Sequence, residues 1–136
     1  TAADYTTRLR SNHSNLCVNI RGASANVGAV AIQWPCGTAS NETFTVRSVA
    51  GGYVQLVARH SNLCLAQGSM AASGAGVVQL ACTVGSTAQW TLSGSTLRNR
   101  ASGACLDVPN NSTAQDIPLL TWTCNAGNNQ NWLQLP

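Results

Sequence analysis

Four carboxylic acids (Asp4, Glu42, Asp107 and Asp116), two histidines (His13 and His60) and six cysteines hold most of the chain's capacity for chemistry. Splitting a glycosidic bond takes two carboxyl groups about 5–5.5 Å or about 6.5–9.5 Å apart. Only Asp107 and Asp116 share a loop, and Asp4 lies in an expected N-terminal tail, residues 1–7. Serine is plentiful, but no acid accompanies either histidine as a nucleophilic triad requires. No Cys-x-x-Cys occurs, and the histidines stand beside serines away from any ligand spacing, so a zinc site is not expected. The acids, histidines and thiols thus point away from catalysis, a metal or a cofactor.

The rest of the composition narrows the class further. The chain has 136 residues, enough for one domain, 1–136. Only 8% are charged, with seven Arg, no Lys and a net charge of +3. Arg8 and Arg10 are the densest basic pair, so the clustered footprint of a nucleic-acid binder is missing. No apolar run approaches the roughly 18 residues that span a bilayer, and membrane insertion is not expected. At 44% hydrophobic with low net charge, the chain is the opposite of a disordered one.

The cysteines are Cys17, Cys36, Cys64, Cys82, Cys105 and Cys124. Their consecutive spacings of 19, 18 and 19 make three local bridges, Cys17–Cys36, Cys64–Cys82 and Cys105–Cys124, the economical pairing. Each would close a loop worth on the order of 3 kcal/mol in the chain-entropy model. An even, fully pairable count points to an oxidising compartment, and a secreted or extracellular protein is expected.

The elements that hold these residues repeat three times. His13-Ser14-Asn15-Leu16-Cys17 recurs letter for letter as His60-Ser61-Asn62-Leu63-Cys64, and degenerately as Ala101-Ser102-Gly103-Ala104-Cys105. A leucine precedes each first cysteine by eight residues (Leu9, Leu56, Leu97), and an aromatic follows each second one by eight (Phe44, Trp90, Trp132). The units run over about 8–50, 55–94 and 96–136. Short apolar runs at 27–34, 43–49, 53–57, 77–80 and 118–122, punctuated by Gly, Asn and Ser, read as strands. No segment holds a helical period. Three such units around one core predict an all-β, pseudo-threefold β-trefoil, with the repeated aromatics inside. A propeller needs at least four blades.

Within the third unit, Cys105-Leu106-Asp107-Val108, Leu120-Thr121-Trp122-Thr123-Cys124 and Asn129-Gln130-Asn131-Trp132 resemble the ricin-B-type lectin repeat. That family includes trefoil carbohydrate-binding modules attached to many bacterial glycosidases. Its marks are a C-L-D, an aromatic two before the second cysteine and a closing Gln-x-Trp. The resemblance covers nearly the whole chain, and implies a shallow sugar pocket in each of up to three repeats, without catalysis.

A pyranose offers one C–H face and a rim of hydroxyls. In the third repeat, Trp122 would take the face. Asp107 would accept from adjacent hydroxyls, with the added strength of a charged acceptor. Asn129 can both donate and accept. Gln130 would hold Asp107 in place, as its counterpart does in the family. Alone, Asp107 reads as a turn former ahead of Val108-Pro109-Asn110, and Trp122 as a core residue. The first repeat carries Asn19, Trp34, Asn41 and Glu42 at the matching positions, a possible second site with the ring kept and the acid lost. The second carries Ala66, Leu80, Thr87 and Ala88, an expected dead pocket. His13 and His60 read as turn residues.

The resemblance makes galactose-type sugars the expected partner. Xylan- or arabinan-type chains are the partner if the domain targets a secreted glycoside hydrolase. Trefoils also host inhibitor-like proteins that bind other proteins through one loop.

Overall fold

β-Branched and aromatic residues between Gly, Asn and Ser clusters suit short strands. A computed structural model describes residues 4–136, and folds those residues into thirteen strands and no α-helix. The first repeat contributes β1 (Tyr5–Ser11), β2 (Leu16–Ile20), β3 (Ala31–Pro35) and β4 (Phe44–Val49). The second contributes β5 (Tyr53–Ala58), β6 (Cys64–Gln67), β7 (Ala75–Leu80) and β8 (Trp90–Ser93). The third contributes β9 (Thr96–Asn99), β10 (Cys105–Asp107), β11 (Ile117–Pro118), β12 (Leu120–Trp122) and β13 (Trp132–Leu135).

The pairing is antiparallel throughout. β13, β1, β4, β5, β8 and β9 pair in succession as the barrel wall. The hairpins β2–β3, β6–β7 and β10–β12 cap it. The threefold pattern extends to single bonds: Asn12, Arg59 and Arg100 donate their N–H groups to the carbonyls of Asn131, Thr43 and Gln89 at 2.9, 3.0 and 2.8 Å.

The three expected disulfides are present. Cys17–Cys36, Cys64–Cys82 and Cys105–Cys124 have Cα–Cα separations of 5.0, 5.0 and 5.2 Å. Each bridge is asymmetric. Cys17, Cys64 and Cys105 lie in strands and are fully buried. Cys36, Cys82 and Cys124 lie just beyond the strands β3, β7 and β12 and are only partly buried. The bridge thus pins the loop that leaves each capping hairpin to the strand that enters it.

Each core layer takes one residue per repeat. Leu9, Leu56 and Leu97 form one; Val18, Leu65 and Leu106 another; Ala31, Val77 and Leu119 a third; all are buried. Phe44, Trp90 and Trp132 fill the aromatic positions. A buried indole must place its N–H. Trp90 donates to Leu65 O at 2.9 Å and Trp132 to Leu106 O at 3.0 Å. Phe44 has no such group, and needs no partner.

The strand expectations hold at β4, β5 and β7 to within two residues, and shift elsewhere. The run 27–34 becomes strand only from Ala31, because Gly28 turns the chain at φ 91°. The run 118–122 splits around Leu119, which points inward while its N–H reaches Ala31 O at 2.9 Å. The expected tail 1–7 is strand from Tyr5, since Tyr5, Thr6 and Thr7 pair with Val46, Thr45 and Phe44. Residues 1–3 lie outside the described residues.

Candidate functional site

The C-terminal end of β10 carries Asp107, and β12 runs antiparallel beside it with Trp122 opposite Cys105. The chain then makes a tight turn at Pro109–Asn111, where proline presets φ for the first turn. Asn110 and Asn111 adopt φ 57° and 52°, a conformation that asparagine tolerates better than most residues. A second turn, Asn128–Gln130, returns the chain toward β10. Together these elements enclose a cleft of about 390 Å³ lined by Asp107, Asn110, Asn111, Trp122, Asn125 and Asn129, among others.

Within it the Asp107 carboxylate is fixed from behind. Its Oδ2 accepts from Gln130 Nε2 at 2.9 Å and from Asn129 Nδ2 at 3.2 Å. Gln130 is fully buried and anchored in turn: it donates to Thr123 O at 3.1 Å and accepts the Asn125 N–H at 3.0 Å. Asn129 also donates to Val108 O at 3.0 Å. The second carboxylate oxygen, Oδ1, takes no protein donor among the described residues. Trp122 is 48% exposed, which overturns its alternative reading as a core residue. Gly74 of the second repeat lies against the indole; a Cβ there would stand 3.4 Å from Trp122 Cζ3. The cleft thus sets an apolar ring face beside an oriented charged acceptor and amide groups.

Burial raises the pKa of Asp107 above the ordinary 3.8, and the bonds from Gln130 and Asn129 pull partly the other way. Because the folded value exceeds the unfolded one, the native state binds more protons across this window. Asp107 therefore favours folding more as pH falls from the raised value toward the ordinary one. A ligand that needs the carboxylate loses affinity over the same descent. Carbon-detected NMR titration should place the Asp107 carboxyl midpoint above 3.8, and Gln130→Ala should move it higher, since the stronger of the two opposing bonds is gone. A midpoint at or below the ordinary value would contradict the buried setting.

The first repeat reproduces this frame with acid and amide exchanged. Asn41 Nδ2 reaches Asn19 Oδ1 at 3.2 Å and Ile20 O at 3.0 Å, as Asn129 reaches Asp107 and Val108 O. Glu42 accepts the Gly37 N–H at 2.8 Å, as Gln130 accepts that of Asn125. Here, however, the inner residue holds the charge and the outer one donates: Asn19 Nδ2 to Glu42 Oε2, 3.1 Å. Trp34 is 42% exposed and lines a cleft of about 410 Å³ with Asn19, Asn41, Arg21 and Asp116. Glu42 is buried behind it. In the second repeat, Ala66 and Ala88 pack with Val57, Cys64, Leu80 and Cys82 as a satellite apolar cluster, and Thr87 supplies no amide.

Sequence reasoning missed what holds the cleft loops. Gln33 of the first repeat donates to Ser112 O at 3.1 Å and Ala114 O at 2.7 Å, and His13 Nε2 lies 2.6 Å from Asn111 O. Gln79 and His60 of the second repeat hold Ser24 O and Asn26 O in the same way, at 2.7 to 2.8 Å. The histidines, read as turn residues, brace the loop of the neighbouring repeat's cleft. The available signal was their coincidence with glutamines, His13 with Gln33 and His60 with Gln79, where the third repeat has Ala101 and Thr121. Arg21 and Asp116 were also missed as cleft residues.

A family model described as the ricin-type beta-trefoil lectin domain matches residues 5–132. No curated protein matches the chain. Among solved structures, the chain is similar to a designed threefold-symmetric protein, ThreeFoil, with a TM-score of 0.92 and 31% identity, over 96% of this chain and 98% of that one. It shares its fold with an exo-β-1,3-galactanase from Clostridium thermocellum (TM-score 0.89, 20% identity), covering 96% of this chain but 30% of the enzyme. It also shares its fold with the ricin B-like lectin of Macrolepiota procera, solved in complex with lactose (TM-score 0.82, 16% identity, 99% and 97% covered).

Proposed function

Since the chain belongs to the ricin-type β-trefoil lectin family, we propose that it binds galactose-type sugars, without catalysis, in the cleft of its third repeat. Trp122 is the platform for the C–H face of the ring. The free Oδ1 of Asp107 accepts from ring hydroxyls, and Asn129 and Asn125 complete the polar rim. Gln130 orients Asp107 and does not touch the sugar. The observation that carries this reading is the buried carboxylate held by Gln130 and Asn129 across from a half-exposed indole. The two clefts hold one lining carboxylate each, Asp107 and Asp116, whereas glycoside hydrolysis uses a pair.

Galactose is favoured because the Macrolepiota procera neighbour is in complex with lactose. A second reading makes the domain a targeting module for xylan- or arabinan-type polysaccharide. That the likeness covers only 30% of the galactanase's length supports the module part of this reading, and the polysaccharide remains for the titration to decide. Three disulfides support an extracellular setting in either case. A protein-binding, inhibitor-like role would leave the Asp107 frame without purpose.

Calorimetric titration with lactose and with arabinose, xylose and rhamnose oligomers tests this. Lactose should bind, weakly for a shallow monovalent contact. Tighter binding of xylan or arabinan fragments selects the second reading, and silence across the whole panel sinks both.

A further inference from the structure

Three backbone N–H groups occupy one place in the threefold pattern. Asp116 donates to Gln33 O at 2.9 Å, Gly28 to Gln79 O at 2.8 Å and Gly74 to Thr121 O at 2.7 Å. All three residues are left-handed, with φ of 64°, 91° and 82°. Glycine adopts that conformation without steric cost, and two repeats use it. The third repeat places an aspartate there instead. Strained residues of this kind persist where the surroundings hold them, and they gather at binding sites.

The Asp116 side chain does not serve its own repeat. It lines the first-repeat cleft, together with Trp34 and Asn19. Arg21 holds it in place: Nε donates to Asp116 Oδ1 at 2.8 Å, and a terminal guanidinium nitrogen donates to Asp116 O at 3.3 Å. The pair is about half exposed on both sides, 45% and 55%, so as a salt bridge it adds little stability. Stability therefore gives no reason to keep an acid at a glycine position. The neighbouring cleft does, because its own acid position is Asn19, whose amide is turned toward Glu42.

We propose that Asp116, held by Arg21, determines the specificity of the first cleft: it supplies from the third repeat the charged hydroxyl acceptor that Asn19 no longer provides. The ligand is a neutral sugar with adjacent hydroxyls stacked on Trp34. Asp116 and Glu42 carry two negative charges against the one positive charge of Arg21, so a uronate is disfavoured. This rests on the carbohydrate reading of the fold and deepens it. It also makes the first site a composite across a repeat boundary.

The four tryptophans separate the two sites. Trp90 and Trp132 are buried with their N–H groups bonded inside, while Trp34 and Trp122 are half exposed. Proton–nitrogen NMR of the indole N–H signals, assigned with Trp34→Phe and Trp122→Phe, then reports each cleft by itself. On titrating the parent with lactose and with arabinose and xylose oligomers, both signals should move. Asp116→Gly installs the residue of the two equivalent positions, so the backbone is accommodated. It should weaken the Trp34 response at least tenfold and leave that of Trp122 unchanged. Asp116→Asn keeps the size of the side chain without its charge, and should also weaken the Trp34 response. Galacturonate should move Trp34 less than lactose does. The proposal is overturned if Trp34 responds equally in parent and Asp116→Gly, if it stays silent in the parent while Trp122 responds, or if galacturonate is preferred. If neither indole responds to any sugar, the carbohydrate reading itself has failed and this proposal falls with it.

Discussion

Asp107→Asn should weaken sugar binding at the third cleft by about 10- to 100-fold while leaving the fold intact. A hydrogen bond to a charged group contributes about 1.5–3 kcal/mol, and each 1.4 kcal/mol or so is a factor of ten. The asparagine can keep an oxygen toward Gln130 and Asn129, whose donors now meet at Asp107 Oδ2. Its amide nitrogen then replaces the free Oδ1, and the cleft presents a donor where the sugar expects an acceptor. The first repeat shows that an asparagine fits this frame, since Asn19 sits in the equivalent place. Stability should not suffer, because the substitution removes a carboxylate whose ionised form is opposed by burial. The Trp122 indole N–H signal on titration with lactose reads the affinity of this cleft, and a thermal melt reads the fold. Affinity within threefold of the parent would show that Asp107 is not the acceptor. Trp122→Ala is the companion variant: it removes the platform, and should lose binding at this cleft with only a small change in melting temperature, since nearly half of the residue faces solvent.

The repeat made the barrel readable. Each strand that lines the core carries a residue fixed at a constant distance from a cysteine, so Leu9, Leu56 and Leu97, and likewise Phe44, Trp90 and Trp132, could be placed in layers from spacing alone. The Asp107 frame was readable through the resemblance of the third repeat to the lectin repeat, and its parts belong to one repeat. What escaped the sequence lies across repeat boundaries. Asp116 reaches the first cleft only because β11 pairs with β3, Ile117 opposite Gln33. His13 braces Asn111 across 98 positions of chain. The strand character of residues 5–7 depends on β4, some forty residues away, which no local pattern announces. A comparison of repeats aligns equivalent positions, whereas contacts between repeats join inequivalent ones. The equivalence of Asp116 with Gly28 and Gly74 appears only in the backbone bonds, and its place in the first cleft only through the neighbouring repeat.

Trp132→Ala should cost about 3–5 kcal/mol of stability, the range for truncating a large buried aromatic. For a chain of this size that lowers the melting temperature by roughly 10–20 °C. Two losses combine. The indole packs among Leu9, Leu97, Leu106 and other core residues, and its N–H satisfies Leu106 O at 3.0 Å. Trp132→Phe separates them: it keeps most of the ring, leaves Leu106 O unpaired, and should cost about 1–3 kcal/mol. Phe44 occupies the same place in the first repeat, so the backbone accepts a phenyl ring there. The larger truncation should also impair the third cleft in molecules that remain folded. Leu106 precedes Asp107 in β10, and Trp132 follows two residues after Gln130, so the indole ties together the two segments that aim the carboxylate. Trp90→Ala removes an equally buried indole, yet its N–H holds Leu65 O in the second repeat. It should therefore cost similar stability while the folded fraction binds lactose with nearly parental affinity. Equal loss of binding in both variants would mean that the cleft depends on the core as a whole. A loss confined to Trp132→Ala would locate the support of Asp107 in the indole of its own repeat.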